Sequence, residues 1–157
     1  MNSERVIGVI PALNSGFLGR HAFTLVTTDQ RLIFSKVTNE LIKQEHEKNL
    51  NESKGRNEGF LGKWKASIAS GFAFHERYWK MSPQDILNEL PDNYEIRLTD
   101  VKSVKLRKGS YYPESGTQSM NKMIIKWTGG KKKFRSDRMD IEQVKKILIP
   151  VLGPKVK

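Results

Sequence analysis

The sequence predicts an α+β protein in which antiparallel strands from both ends of the chain flank a helical middle, and a helix closes the C-terminus. Three patterns predict it. Apolar residues alternate with period two between about residues 6 and 35 and again between about 94 and 135; they recur with period 3.6 from about 39 to 91, and once more after Asp140. A length of 157 residues suits one domain spanning 1–157. A chain of this size buries about 70% of its unfolded surface, so it needs no staple to fold.

Arg5-Val6-Ile7-Gly8-Val9-Ile10 is β-branched and reads as the first strand, with Pro11 and Asn14-Ser15-Gly16 breaking it into a loop that runs to about Gly19. His21 to Thr27 alternates with Phe23 and Leu25 on one face, Thr28-Asp29-Gln30 turns, and Arg31 to Ser35 returns as a hairpin. Asn39 caps a helix that reaches about Lys48 and has only Leu41, Ile42 and Leu50 to bury. After a turn-rich stretch over 51–59, a second helix over 60–80 places Phe60, Trp64, Ile68, Phe72, His75 and Trp79 along one stripe. Ser82 caps a third, short helix that opens with Pro83 and stops near Leu90-Pro91.

Tyr94 to Leu98 and Val101 to Arg107 are the next strands, followed by a polar loop over 108–121. Lys122 to Trp127 and Lys131 to Arg135 form a hairpin around Thr128-Gly129-Gly130. Asp137 or Asp140 caps the last helix, whose stripe of Ile141, Val144, Ile147, Leu148 and Val151 faces a core; Pro150 kinks or ends it, with Gly153-Pro154 as the stop.

Composition narrows function. The chain has no cysteine, which removes disulfides, thiol nucleophiles and Cys-ligated zinc, and fits a reducing cytoplasmic compartment. Residues 1–5 lack the profile of a signal peptide, and no run approaches the ~18 apolar residues of a membrane-spanning helix. There is no Walker loop, no G-x-S-x-G and no H-E-x-x-H, and His21, His46 and His75 show no metal-ligand spacing. The expectation is a non-catalytic protein with neither metal nor cofactor.

Charge is the strongest functional signal. The chain carries 28 Lys and Arg against 17 Asp and Glu, for a net charge of +11. Between Arg97 and Arg138 stand twelve cations and three anions, which accounts for nine of those eleven charges. In alternating strands Lys105 shares a face with Arg107, and Lys131 shares one with Lys133 and Arg135. Such a face attracts lipid headgroups or nucleic-acid phosphates, or simply keeps a solvated sheet soluble. The residues expected to contact an anion are Lys105, Arg107, Lys131, Lys132, Lys133 and Arg135, with Arg20 contributing from the first loop. Trp64, Ile68, Phe72 and Trp79 are expected to form an interface, packing on their own domain or on a second copy of it. Trp127 and Tyr111-Tyr112 offer stacking surfaces for nucleic acid.

Leu25-Val26-Thr27-Thr28-Asp29-Gln30-Arg31-Leu32-Ile33-Phe34 resembles a hairpin of the pleckstrin-homology-like (PH-like) superfamily, in particular its prokaryotic and GRAM-type branches. Ile96 to Val104 is similar to a strand pair of the same domains, and a glycine-containing hairpin followed by an amphipathic C-terminal helix is a third point of likeness. Together these cover 1–37 and 94–153. Residues 38–93 have no counterpart in the compact family pattern and read as a helical insertion. The resemblance implies a split β-barrel of two antiparallel sheets packed nearly orthogonally and capped by the helix over 140–152. It also implies a binding module, used for lipid headgroups, peptides or self-assembly. The loop with Arg20 and His21 occupies the place where lipid-binding relatives use their first hairpin; it offers backbone amides near Gly16 and Gly19 and a Phe17-Leu18 wedge, yet lacks the several cations of a tight phosphoinositide pocket. The partner expected is an anionic lipid surface or a protein, met peripherally in the cytoplasm. The alternatives are nucleic acid bound by the basic face, and a homodimer joined through the inserted helices.

Overall fold

The computed structural model describes residues 3–16, 20–52 and 72–157. Among these residues, nine strands and four α-helices follow in order: β1 (Val6–Ser15), β2 (His21–Thr28), β3 (Arg31–Val37), α1 (Asn39–Glu52), α2 (Phe72–His75), α3 (Pro83–Asn88), β4 (Tyr94–Arg97), β5 (Val101–Arg107), β6 (Tyr111–Tyr112), β7 (Thr117–Gln118), β8 (Asn121–Trp127), β9 (Gly130–Ser136) and α4 (Ile141–Leu152). A 3-10 turn, Glu76–Trp79, continues α2. The architecture is α+β: seven strands make one antiparallel sheet in the order β4-β3-β2-β1-β9-β8-β5, β6 and β7 make a separate ribbon, and α4 packs on the core.

Two sheets were expected, and one continuous sheet is found. The reason lies in β1, which does not stop at Pro11. A register shift between Ile10 and Leu13, with Ala12 at φ 63, absorbs the proline, and the strand continues to Ser15. Its far end then reaches β9 through the pair Asn14 and Arg135, which joins the two halves. The sheet is not a closed barrel, because the edge strands β4 and β5 do not pair. It is nevertheless strongly curled. Phe34 on β3 and Phe134 on β9 are three strand spacings apart, roughly 14 Å along the sheet, yet their rings stack at 5.2 Å. Tyr94 stacks on the other side of Phe34 at 4.8 Å, and Phe23 meets both Tyr94 and Phe134 edge-on.

The concave side of this curl holds the main core, with Leu13, Leu25, Leu32, Val104, Met123 and Ile125 almost fully buried. Helix α4 seals it with Ile141, Val144, Leu148 and Leu152. Asp140, rather than Asp137, is its cap, accepting from the Glu142 and Gln143 amides. Gly8 is required where α4 crosses β1, since a Cβ there would lie 2.3 Å from Ile147. Pro150 falls inside α4, which ends two residues later at Leu152, ahead of Gly153 at φ 58, a positive value that favours glycine.

A second core lies on the convex side of β1 to β3, where Val26 and Ile33 meet Leu41 of α1, Phe74, Tyr78 and Ile86. Strand β2 is therefore buried on both faces, without a break from Phe23 to Thr28. The cap of α1 is Thr38, whose hydroxyl accepts from the Leu41 amide, so Asn39 is the first helical residue. Ser82 caps α3 by accepting from Asp85.

The stripe expected over 60–80 changes in the part that is described. Tyr78 and Phe74 are buried, whereas Trp79 is 54% exposed. The switch from α-helix to a 3-10 turn at Glu76 alters the angle per residue, so the fourfold spacing that pointed Trp79 inward no longer holds. Trp64 and Ile68 lie outside the described residues, and of Phe72 only the backbone is described. The 108–121 stretch, expected to be loop throughout, contains the β6-β7 ribbon.

Candidate anion-binding face

Register determines which cations meet. Arg107 on β5 pairs with Lys122 on β8, and Lys122 with Arg135 on β9. One step along, Lys105 pairs with Ile124 and Ile124 with Lys133; one step further, Lys126 pairs with Lys131. Their alternate neighbours Leu106, Met123, Ile125 and Phe134 belong to or pack against the core, so these seven cations occupy the opposite, convex face of three adjacent strands. The grid is about 10 Å across, two strand spacings.

Among the described residues nothing neutralises it locally. None of the seven has a described carboxylate within 4 Å. The effect registers on Lys133, whose amine is pushed below its ordinary value by the charges of Lys122 and Arg135, with Lys131 adding to them. Holding like charges together at this spacing makes the face a preformed attractor for anions.

Lys132 does not belong to it. The middle residue of a strand triplet points the other way, and its ammonium lies 5.8 Å from the Tyr94 ring centroid on the core side. The Tyr94 ring is largely buried, its hydroxyl has no hydrogen-bond partner among the described residues, and burial pushes that hydroxyl's pKa up. Arg20 is exposed and stands at the same end of the sheet as Arg135, since His21 pairs with Ser15 and the adjacent Asn14 pairs with Arg135. Phe17, Leu18 and Gly19 lie outside the described residues.

Two members of the face, Lys122 and Lys126, escaped the sequence reading. The signal was present in Lys122-Met123-Ile124-Ile125-Lys126, where alternation alone sends both lysines away from Met123 and Ile125. Trp127 is only partly exposed and packs against the main core. Its indole also lies against the hairpin turn, 2.6 Å from where a Cβ on Gly129 would be, so the ring is not a free stacking platform.

At one end of the basic grid, beyond Arg107 and Lys122, the chain runs into the β6-β7 ribbon. Tyr111 and Tyr112 are 62% and 54% exposed there, and Met120 at its foot is 47% exposed. A shallow, open pocket of about 290 Å³ lies beneath, lined by Gln118, Ser119, Met120, Asn121 and Asp137. Among the described residues no cluster of His, Asp or Glu is arranged to hold a metal ion, and no helix is long and apolar enough to cross a membrane.

Fold and face together define an α+β protein with a curled antiparallel sheet and, among the described residues, a basic surface without paired carboxylates. The chain matches no protein-family model, and searches of curated proteins and of solved structures find no match either.

Proposed function

We propose that this chain is a non-catalytic binding module of PH-like type, with residues 38–93 as its helical insertion, which docks peripherally on anionic membranes through the convex face of β5, β8 and β9. The observation that carries the docking is the uncompensated grid of Lys105, Arg107, Lys122, Lys126, Lys131, Lys133 and Arg135. A convex array of cations held by strand register suits a surface of laterally mobile headgroups, which can rearrange beneath it. The PH-like assignment is supported by the order of elements, by the hairpin over Leu25 to Phe34, and by a terminal helix packed into the curl of the sheet. Protein scaffolding, nucleic-acid binding and dimerisation through the inserted helices are the competing outcomes.

Co-sedimentation with phosphatidylcholine vesicles, with and without phosphatidylserine, tests the reading beside DNA and RNA shift assays at two salt concentrations. Wild type is expected on the anionic vesicles only, less so at high salt. Each basic residue near such a surface is worth about 1 kcal/mol, so the triple variant Lys131→Ser, Lys133→Ser, Arg135→Ser should bind roughly a hundredfold more weakly. Unchanged binding by that variant would discard the face. Nucleic-acid shifts without vesicle binding would replace the membrane by phosphate polymers, and a concentration-dependent dimer binding neither would leave the structural reading.

A further inference from the structure

We propose that the β6-β7 ribbon is an interfacial anchor, which lies along the headgroup layer of an anionic membrane and adds an apolar grip to the electrostatic one; this rests on the membrane reading above. The ribbon is a two-residue ladder in which Tyr111 pairs with Gln118 and Tyr112 with Thr117. Adjacent strand residues point to opposite faces, so the two tyrosines flank it on both sides. Their exposure, with that of Met120, places three of the five large exposed hydrophobic side chains of the described residues within one short excursion. The excursion is firmly attached. The Asn121 side chain accepts from the Gly109 amide and donates to the Met139 carbonyl, and the Ser119 amide donates to the Ser110 carbonyl.

Its chemistry differs from that of the face it adjoins. From Gly109 to Asn121 there is no Lys or Arg, and Glu114 at the turn is the sole charge. The ribbon therefore does not extend a phosphate-binding track, and what it can add is burial of aromatic and thioether surface. Tyrosine favours the boundary between headgroup and acyl chain, where its ring is buried and its hydroxyl stays hydrated. The root of the ribbon is the row Arg107, Lys122 and Arg135, so anionic lipid drawn to that row brings the boundary to the tyrosines. Glu114 at the tip opposes end-on insertion beside anionic headgroups, which is why the ribbon lies on its side. Nucleic acid is disfavoured because Met120 has no stacking face and the ribbon has no cation for the backbone.

The test uses vesicles containing phosphatidylserine and three proteins: wild type, the face variant above, and Tyr111→Ser/Tyr112→Ser/Met120→Ser. All three ribbon positions are exposed, so thermal melting should be unchanged. The ribbon variant is expected to bind about tenfold more weakly and to lose the fraction that remains bound in high salt, whereas the face variant loses the salt-sensitive fraction. Because the chain has no cysteine, Gln118→Cys accepts a single polarity-sensitive dye. Its emission should shift to the blue on these vesicles, and Glu114→Gln should strengthen binding. Vesicle binding that is lost in the face variant but unchanged in the ribbon variant, with no shift of the dye, would overturn the anchor and leave the docking face standing. Wild type that fails to bind would overturn both.

Discussion

The two halves of the curled sheet treat their convex faces in opposite ways. Over β1 to β3 that face carries Val26, Ile33 and Ser35 and is roofed by helices; over β5, β8 and β9 it carries seven cations and faces solvent. Charge follows the same division. Under and beside the roof the arginines are paired: Arg77 donates to Glu89 at 2.5 and 2.6 Å and to Glu45 at 3.0 Å, while Arg31 grips Glu4 through two nitrogens and also contacts Glu95. Burial alone would lower the pKa of Arg77, but the hydrogen bonds and charge of Glu89, together with the charge of Glu45, outweigh it and raise the value. On the open half, cations are left beside one another instead. One half of the sheet is thus stabilised by paired charge and the other accepts internal repulsion, as the proposed docking on an external anion requires.

The sharpest way to break that contrast is to cut into the roof. Tyr78 is fully buried, and its hydroxyl bonds Ser35 at 3.0 Å. Tyr78→Ala should cost about 3–5 kcal/mol in chemical denaturation, the usual range for an aromatic removed from a core. Lys133→Ser on the open face should leave stability unchanged or slightly higher, because it relieves repulsion. Equal, small effects at both positions would mean that the helices do not seal the second core.

Acid probes the same roof more gently. His75 is held by Thr24, whose hydroxyl lies 3.1 Å from Nδ1, and burial lowers its pKa from 6.5 to about 4. The unfolded chain therefore takes up this proton first as pH falls. The stability from keeping His75 neutral is intact above about pH 6.5 and is lost as pH drops toward 4, by up to about 3 kcal/mol. Denaturation curves of wild type and His75→Gln across pH 7 to 4 should diverge from neutral to acid, with the variant the less sensitive; parallel curves would remove His75 from the buried roof.

What the sequence made legible follows from how local each cause is. The β2-β3 hairpin is set by alternation and by Thr28, whose hydroxyl accepts from the Gln30 and Arg31 amides, and all of that sits within a few residues. The caps at Ser82 and Asp140 are equally local. The passage of β1 through Pro11 was not legible, because a proline within a strand reads as a stop unless a bulge absorbs it, and the bulge depends on β2 and β9 being in place. The roof was half legible: β2 read as one-sided, whereas helices distant in sequence bury its other face. The basic face was written into strand alternation, but recognising Lys122 and Lys126 as its centre requires the β5-β8-β9 register, which is tertiary information.

Lys132 gives the finest test of whether facing, rather than charge, is what counts. Lys131, Lys132 and Lys133 are chemically identical and contiguous, and any account based on net charge makes them interchangeable. Geometry separates them: Lys131 and Lys133 lie in the grid, while Lys132 turns inward over the Tyr94 ring. Lys132→Ser should therefore leave anionic-vesicle binding nearly unchanged and cost about 0.5–1 kcal/mol of stability through the lost cation–π contact. Lys133→Ser should do the reverse, weakening binding with no loss of stability. Equal weakening of vesicle binding by the two single variants would show that the partner responds to total charge, and the open half of the sheet would then be a basic region without a defined face.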